Sequence, residues 1–220
     1  MRATKYYYDN IIGPFKPFML KALERVRELD ISMICTGHGP VIDDKIDFIL
    51  NTYEEWSTVV NPNPKKTVIM PYVSAYGYTK SLAEKIAEGI RASGDIDVRA
   101  YDMVEADQAK VLEELGFADG ILFGSPTIVG EALKPIWELT TSIFAGTHGG
   151  KLASAFGSYG WSGEAVPHLI ERLKQLNMKV TEGFRVRFKP DENQLQDAFD
   201  YGFNFGCLLQ EKENPKKKKG

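Results

Sequence analysis

From Thr67 onward, short apolar runs alternate with segments of helical period, and this alternation constrains the fold more than any other feature of the sequence. Residues 67–72 form a run of the buried-strand type, and residues 120–124 are nearly all apolar. Together with the segments at residues 97–102, 151–156 and 178–188, they predict five strands. The segments between and after them predict helices at residues 79–92, 108–115, 131–144, 163–177 and 191–209. Parallel strands need crossover helices, so the order predicts an α/β fold: a doubly wound, five-stranded parallel sheet covered on both faces.

A proline-rich stretch, Asn61-Pro62-Asn63-Pro64-Lys65-Lys66, precedes this pattern. Each proline lacks an N–H and biases the preceding residue away from helix. Residues 61–66 are therefore predicted to be an extended linker between residues 1–60 and an α/β domain at residues 67–210. The lysine-rich tail, residues 211–220, is predicted to be disordered.

Charge and hydropathy exclude several classes of protein. The net charge of −3 argues against a protein that binds nucleic acid by neutralising many phosphates. The apolar runs fall short of the roughly 20 residues that a membrane span needs. The first ten residues lack the apolar core of a signal peptide, and Cys35 and Cys207 are expected to be reduced thiols. We expect a cytoplasmic protein that binds neither nucleic acid nor membrane.

Ligands of open parallel sheets bind outside the carboxyl ends of the strands, at a topological switch point, which directs attention to three loops. The first loop is Ser74-Ala75-Tyr76-Gly77-Tyr78-Thr79, which opens directly into a helix whose free amides and positive end favour a phosphate. It has no lysine or arginine before Lys80, and it lacks the glycine patterns of nucleoside triphosphate and dinucleotide sites. The loop suits a phosphate monoester; an ordinary helix N-cap at Thr79 is the alternative.

The second loop follows the third strand and reads Gly124-Ser125-Pro126-Thr127-Ile128-Val129-Gly130. Its serine, proline and glycines predict a tight turn with exposed amides, which suits the polar edge of a flat ring; a plain strand-to-helix turn is the alternative.

The third loop is Gly157-Ser158-Tyr159-Gly160-Trp161-Ser162-Gly163. Three glycines bracket Tyr159 and Trp161, which places two large aromatics on a mobile, exposed loop tip that suits stacking on a planar ligand. Together, phosphate donors, ring-edge amides and aromatic faces predict a site for a phosphorylated flat cofactor.

These motifs, above all residues 157–164, resemble the flavodoxin domain of flavodiiron proteins, also called A-type flavoproteins. The resemblance covers nearly the whole chain and implies a flavodoxin-like fold with an FMN cofactor. It places residues 74–79 on the phosphate, and residues 125–130 and 158–163 around the isoalloxazine ring and ribityl chain. Tyr159, Trp161 and the backbone of residues 127–130 are the expected ring contacts, and no catalytic side chain is assigned.

The resemblance also implies that residues 1–60 are the C-terminal fragment of a metallo-β-lactamase-like domain, which holds two irons in the family. The expected elements are helices at residues 14–29 and 44–57, a strand at residues 31–35 and a turn at residues 36–40. Exposed apolar side chains are expected at Phe15, Phe18, Leu20, Ile46, Phe48 and Ile49.

In the family the histidine of that turn is an iron ligand, so His38 is a metal ligand only if another chain completes the site. The family's H-x-E-x-D-H cluster is absent, and a di-iron site needs several carboxylate and imidazole ligands. His148 is expected at the amino end of the sheet, and His168 on a solvated helix face. Without a completing chain, His38 is a turn residue between two glycines.

The resemblance implies an electron-transfer module of an oxygen or nitric oxide reductase, with FMN accepting electrons from rubredoxin or a similar donor. A homo-oligomer or a complementary N-terminal chain is the expected assembly, and di-iron is expected only if the missing part is supplied. Two alternatives stay open: the flavin subunit of a split two-chain reductase, and a non-catalytic remnant without flavin. A NAD-binding domain is disfavoured because the glycine fingerprint is missing.

Overall fold

The computed structural model describes residues 2–211. The chain divides into two compact units, Met1–Asn61 and Pro62–Gly220. The tail predicted to be disordered lies outside the described residues, except for Glu211, which is the last residue of a helix. Among the described residues, no helix is long and apolar enough to cross a membrane.

The first unit is helical. A π-helical turn, Tyr8–Ile12, and a short 3₁₀ turn, Gly13–Phe15, link its first two helices. The α-helices are α1 (Arg2–Tyr7), α2 (Lys16–Arg27) and α3 (Ile46–Ser57). The two predicted helices are confirmed with shorter bounds, but the strand predicted at residues 31–35 is wrong. Only Ile34 pairs, in an antiparallel bridge with Ile42, because a strand needs a partner along its length and the unit supplies one position.

Few side chains of the first unit are buried. The hydroxyl of Tyr8 hydrogen-bonds Ser57 Oγ at 2.6 Å, and its ring meets Tyr53 and Trp56 edge to face. The predicted exposure is confirmed for Phe15, Phe18 and Phe48, whereas Leu20, Ile46 and Ile49 are half-buried.

The second unit is a parallel sheet with helices on both faces. Its strands are β1 (Thr67–Tyr72), β2 (Asp97–Asp102), β3 (Gly120–Gly124), β4 (Leu152–Tyr159), β5 (Lys179–Val180) and β6 (Phe184–Arg187). Its helices are α4 (Tyr78–Ala92), α5 (Gln108–Phe117), α6 (Lys134–Ser142), α7 (Ala145–His148), α8 (Ala165–Gln175) and α9 (Glu192–Glu211). The doubly wound α/β architecture is confirmed.

The strand order is β2-β1-β3-β4-β5, which is the flavodoxin-like order, with β6 also paired to β4. The predicted fifth strand is therefore two short strands along one edge of β4, which gives a six-stranded sheet. Between β5 and β6, side-chain hydrogen bonds take the place of backbone pairing with β4. Ser154 Oγ donates to the Glu182 carbonyl at 3.0 Å, and the Tyr201 hydroxyl donates to Ser154 Oγ at 2.6 Å.

Two further elements differ by several residues from their predicted bounds. β4 extends to Tyr159 instead of stopping at Phe156, because residues 157–159 pair with β6. The helix predicted at residues 131–144 begins at Lys134, because the preceding residues form a turn, and α7 is separate from it.

A hydrophobic core lies on each face of the sheet. Ile121, Phe123 and Leu169 belong to one core, and Met70, Ile86 and Phe156 to the other. On the second face α4 and α9 approach so closely that a Cβ on Gly202 would lie 2.1 Å from the carbonyl oxygen of Ile86. A sheet buried on both faces supplies a rigid platform for the loops at its carboxyl edge.

Candidate cofactor-binding site

The three predicted loops leave the same edge of the sheet. In the strand register Tyr72 of β1 lies beside Gly124 of β3, and Gly124 lies beside Phe156 of β4. The chain leaves β1 towards β2 on one side and leaves β3 towards β4 on the other. The point between β1 and β3 is therefore the topological switch point, where a ligand crevice forms.

The first loop ends in a left-handed glycine that starts α4. Gly77 is the N-cap at φ 80° and the helix begins at Tyr78, so the alternative of an N-cap at Thr79 is wrong. Ser74 Oγ accepts a hydrogen bond from the Lys80 amide at 3.1 Å, and the first helical bond runs from Ser81 N–H to the Gly77 carbonyl at 3.0 Å. The amides of the first turn before Ser81 thus have no acceptor within the helix, which leaves a positively polarised end at the crevice.

The side chains of Thr79 and Tyr76 in the first loop differ in solvent exposure. Thr79 is buried, and its hydroxyl lies 3.1 Å from Ser158 Oγ, which joins the first loop to the third. Tyr76 is 79% exposed and its ring centre lies 6.2 Å from that of Tyr78. Thr79 therefore links the first loop to β4, while the exposed ring of Tyr76 is accessible to a ligand.

The start of the second loop is buried. Ser125 Oγ accepts a hydrogen bond from the Leu133 amide at 2.8 Å and donates to the Pro126 carbonyl at 2.9 Å. The Thr127 amide donates to the Ser158 carbonyl at 2.9 Å, and Thr127 Oγ1 accepts from the amide of Ala165, the first residue of α8, at 3.2 Å. The hydroxyls of Ser125 and Thr127 therefore help to fix the course of the loop.

The exposed part of the second loop is a strained turn. Ile128 and Glu131 exchange two backbone hydrogen bonds, of 3.0 and 3.1 Å, across Val129 and Gly130. Both central residues have positive φ, 55° at Val129 and 75° at Gly130, as in a type I′ turn. A β-branched residue in the left-handed region costs about 1–3 kcal/mol, and such strain concentrates at ligand sites. Val129 is also 96% exposed, so this turn lies at the surface of the unit.

Glu131 connects this turn to two helices. One oxygen of its carboxylate accepts from Trp137 Nε1 of α6 at 3.2 Å and lies 3.2 Å from His168 Nδ1 of α8. His168 is exposed, as the sequence predicts, but it is paired with Glu131 rather than only with solvent.

The third loop is shorter than predicted. Tyr159 is the last residue of β4 and is partly buried, and Gly163 lies against its ring, since a Cβ there would be 2.8 Å from Tyr159 Cγ. Ser158 is buried in the same strand. The prediction of an exposed loop tip therefore applies to Trp161, which is 90% exposed, and not to Tyr159.

The base of the third loop carries a carboxylate. The pKa of Glu164 is lowered because the Ser162 hydroxyl and the Glu164 amide donate hydrogen bonds to its carboxylate, with smaller contributions from His168 and Arg185. Glu164 is therefore ionised at neutral pH, directly before the first turn of α8.

Two strand residues near this loop were not among the sequence predictions. Arg187 Nε donates to the Gly160 carbonyl at 3.0 Å, and Arg185 Nη1 donates to the Gly163 carbonyl at 2.9 Å. Period-two alternation around the buried Val186 indicates that both arginines share a face, but the sequence gives no sign of the loop that they contact.

The residues at this edge fit a phosphorylated flat cofactor. Helix amides and a serine hydroxyl lie at one end, a strained turn with exposed backbone follows the neighbouring strand, and large side chains stay exposed around them. Exposed aromatic surface of this kind marks a binding site more often than a folding element. The large exposed side chains are Tyr76, Ile128, Val129 and Trp161.

The first unit does not fit a di-iron centre. His38 is exposed in its turn, with its ring centre 6.1 Å from that of Tyr7, and it lines a cavity of about 440 Å³. Within residues 2–211, no group of three or more His, Cys, Asp and Glu side chains is placed to hold a metal ion. His148 ends α7, ahead of the amino end of β4, and His168 lies on α8.

The sequence of this chain is similar to those of flavodoxins and flavodiiron proteins. The profile of the flavodoxin family matches residues 71–202. Flavo-diiron protein FprA2 of Clostridium acetobutylicum is 39% identical over 208 residues, which are 93% of this chain and 52% of that protein. Type A flavoprotein fprA of Rhodobacter capsulatus is 37% identical over 202 residues, which are 90% of this chain and 46% of that protein. The chain spans about half the length of these curated relatives.

Solved structures extend the similarity to the fold. The rubredoxin oxygen:oxidoreductase from Desulfovibrio gigas matches with a TM-score of 0.71 at 26% identity, over 96% of this chain and 53% of that chain. The flavodiiron protein from Giardia intestinalis matches with a TM-score of 0.70 at 28% identity, over 93% of this chain and 51% of that chain. An archaeal flavodoxin matches over 66% of this chain and 99% of its own, with a TM-score of 0.60 at 31% identity.

Proposed function

Because this chain belongs to the flavodoxin family and is homologous to flavodiiron proteins, we propose that it is the FMN-binding electron-transfer module of a flavodiiron-type oxygen or nitric oxide reductase. The observation that carries the proposal is the convergence of the three loops on the β1–β3 switch point. FMN, when bound, supplies the one- and two-electron redox chemistry. The protein binds it, orients it and excludes water from it.

The first loop is the proposed phosphate end of the site. The Ser74 hydroxyl and the first-turn amides of Tyr78 and Thr79 are the proposed donors, and the left-handed Gly77 turns the chain into the helix that carries these amides. The positive end of α4 favours a phosphate dianion without a fixed cation. Ala75 and Tyr76 complete the wall of this part of the site.

The second and third loops are the proposed ring end. The turn at residues 128–131 offers backbone groups to the polar edge of the isoalloxazine, and Trp161 offers a free aromatic face. Tyr159 is the less suitable stacking partner, since Gly163 already lies against its ring. The second and third loops are held in place by hydrogen bonds of Ser125, Pro126 and Ser158. Gly160 and Ser162 flank Trp161 in the sequence.

The donor and the acceptor are assigned by similarity alone. The Desulfovibrio gigas relative is named a rubredoxin oxygen:oxidoreductase, which supports a rubredoxin-type donor for this chain. The acceptor centre requires further polypeptide, either from a complementary chain or from a larger assembly, because His38 is a single candidate ligand. A homo-oligomer of this chain alone would transfer electrons from its flavin without a complete di-iron centre.

Two other functions have distinct signatures. A flavin subunit of a two-chain reductase predicts that a partner polypeptide carrying an H-x-E-x-D-H cluster restores iron binding with His38. A non-catalytic remnant predicts that the purified chain takes up no FMN. The strained turn at Val129 and the exposed Trp161 favour a site that still binds a ligand.

The proposal is tested by anaerobic stopped-flow reduction of the FMN-loaded chain with reduced rubredoxin. We expect bleaching of the flavin absorbance that depends on rubredoxin concentration, with little reduction by free NADH. A loaded chain that NADH reduces directly, and that rubredoxin does not, would contradict the proposed donor. Failure to load FMN would contradict the module itself.

A further inference from the structure

Two arginines of one strand reach back to the two ends of the third loop. Arg187 Nε donates to the carbonyl of Gly160, directly before Trp161, and Arg185 Nη1 donates to the carbonyl of Gly163, two residues after it. Val186 between them is buried, so the two guanidinium groups lie on the same face of β6. The short segment that carries the most exposed aromatic of the site is therefore held at both ends.

Aromatic contacts reinforce each of these bonds. The Arg185 guanidinium lies 5.7 Å from the ring centre of Tyr159, and Gly163 is in contact with the same ring. A guanidinium group can donate to a carbonyl in its plane while its face lies over an aromatic ring; a lysine ammonium lacks this combination.

The other end is built in a similar way. The Arg187 guanidinium lies 5.4 Å from the ring centre of Phe188, and the Phe188 amide donates to the Tyr159 carbonyl at 2.7 Å. Phe188 has φ 61°, a left-handed conformation that a bulky residue adopts only where its surroundings hold it. A Cβ on Gly160 would lie 3.3 Å from Phe188 Cε1, so the glycine and this ring are neighbours.

We propose that Arg185 and Arg187 are positioning residues that hold the Gly160–Gly163 segment, and with it Trp161, in the geometry that receives the FMN ring. The inference rests on the proposed function and deepens it. A ligand that binds a preformed loop does not bear the cost of ordering it, so the arginines raise affinity without contacting the ring themselves. Their action must pass through Trp161.

The test is a set of FMN titrations of FMN-free full-length protein carrying Arg185→Lys, Arg187→Lys or both. Lysine keeps the charge but loses the combined carbonyl and ring contact. We expect the Kd for FMN to rise roughly three- to tenfold for each single change and more for the pair. Arg91→Lys is the matched control, because Arg91 Nη2 also donates to a backbone carbonyl, that of Val98 at 2.6 Å, within the same unit. We expect no change in Kd for this control.

A double-mutant cycle with Trp161→Ala separates positioning from a general structural role. If the arginines act through Trp161, their substitution raises Kd in the wild-type background and has little effect in the Trp161→Ala background. An equal rise in both backgrounds, or a Kd as unchanged as that of Arg91→Lys, overturns the inference. If the wild-type protein itself takes up no FMN, the proposed function fails first and this inference fails with it.

Discussion

Both units contain α-helices, but the helices differ in how many apolar side chains they bury. In the second unit, α4, α8 and the strands place their apolar side chains in two cores, one on each face of the sheet. Within the described part of the first unit, the buried hydrophobic residues are Tyr8, Leu23 and Leu50. Its large exposed hydrophobic residues are Tyr6, Ile11, Phe15, Phe18, Leu29, Met33, Val41, Phe48, Val59 and Val60.

From this difference we infer that burial, and not helix formation, decides which part of this chain is stable by itself. Short isolated helices are marginal in water, and units near 60 residues bury only about 60% of the surface that their unfolded chains expose. We expect the second unit to unfold cooperatively and the first unit to depend on further polypeptide that covers its apolar side chains. The proposed cofactor site lies wholly within the second unit.

The largest expected contrast comes from one phenylalanine in each unit. Phe156 is fully buried in β4, so Phe156→Ala removes a core ring and should lower the free energy of unfolding by about 3–5 kcal/mol. Phe48 of α3 is 52% exposed, so Phe48→Ala should change it by no more than about 0.5 kcal/mol. Urea denaturation followed by circular dichroism measures both; similar losses would break the comparison between the units.

A smaller effect tests whether the first unit is ordered around its buried hydroxyl pair. Tyr8→Phe leaves the buried Ser57 hydroxyl without its partner, which should destabilise this unit by about 1–3 kcal/mol. Hydrogen exchange of the amides in α3, read by mass spectrometry, should accelerate. The exposed Tyr6→Phe serves as the control, and equal exchange in both variants would show that the contact contributes nothing.

The smallest expected effect is a pH dependence confined to the second unit. Burial lowers the pKa of His148 below its usual 6.5, and the charge of Lys151 lowers it further, against a hydrogen bond to the Phe144 carbonyl. The unfolded state therefore takes up a proton first as pH falls. The stability is complete above about pH 6.5 and declines as pH falls through the folded pKa.

Urea denaturation at several pH values measures this pH dependence of stability. Urea midpoints should fall between about pH 7.5 and about pH 5.5, and His148→Gln should reduce that fall. The exposed His168→Gln is the control. A pH slope that His148→Gln leaves unchanged would assign the dependence to other groups.

Local sequence predicted the first three strands of the second unit, of which β1 and β3 are buried throughout and β2 is buried only at Val98. β1, β2 and β3 match the predicted strands to the residue, because each is a short run bounded by turn residues. The end of β4 was missed because Gly157-Ser158-Tyr159 has the composition of a turn and becomes a strand only through pairing with β6.

The candidate site divides in the same way. Its three loops follow from the order of strands, and glycine at positions 77, 130 and 163 indicates their positive φ values. The supports of those loops depend on neighbours that are distant in sequence. Thr127 Oγ1 accepts from the first amide of α8, and Arg185 and Arg187 donate from β6 to carbonyls of the third loop. The false strand at residues 31–35 has the same cause, since a strand pattern cannot report whether a partner exists.

The most direct test of the account is a titration of the purified full-length chain with FMN, followed by flavin absorbance and fluorescence, together with iron analysis. We predict saturable uptake of about one FMN per chain, weakened by Trp161→Ala, with no stoichiometric iron. A chain that takes up no FMN would contradict the central claim. Near-stoichiometric iron would contradict the conclusion that His38 lacks the partners for a metal centre.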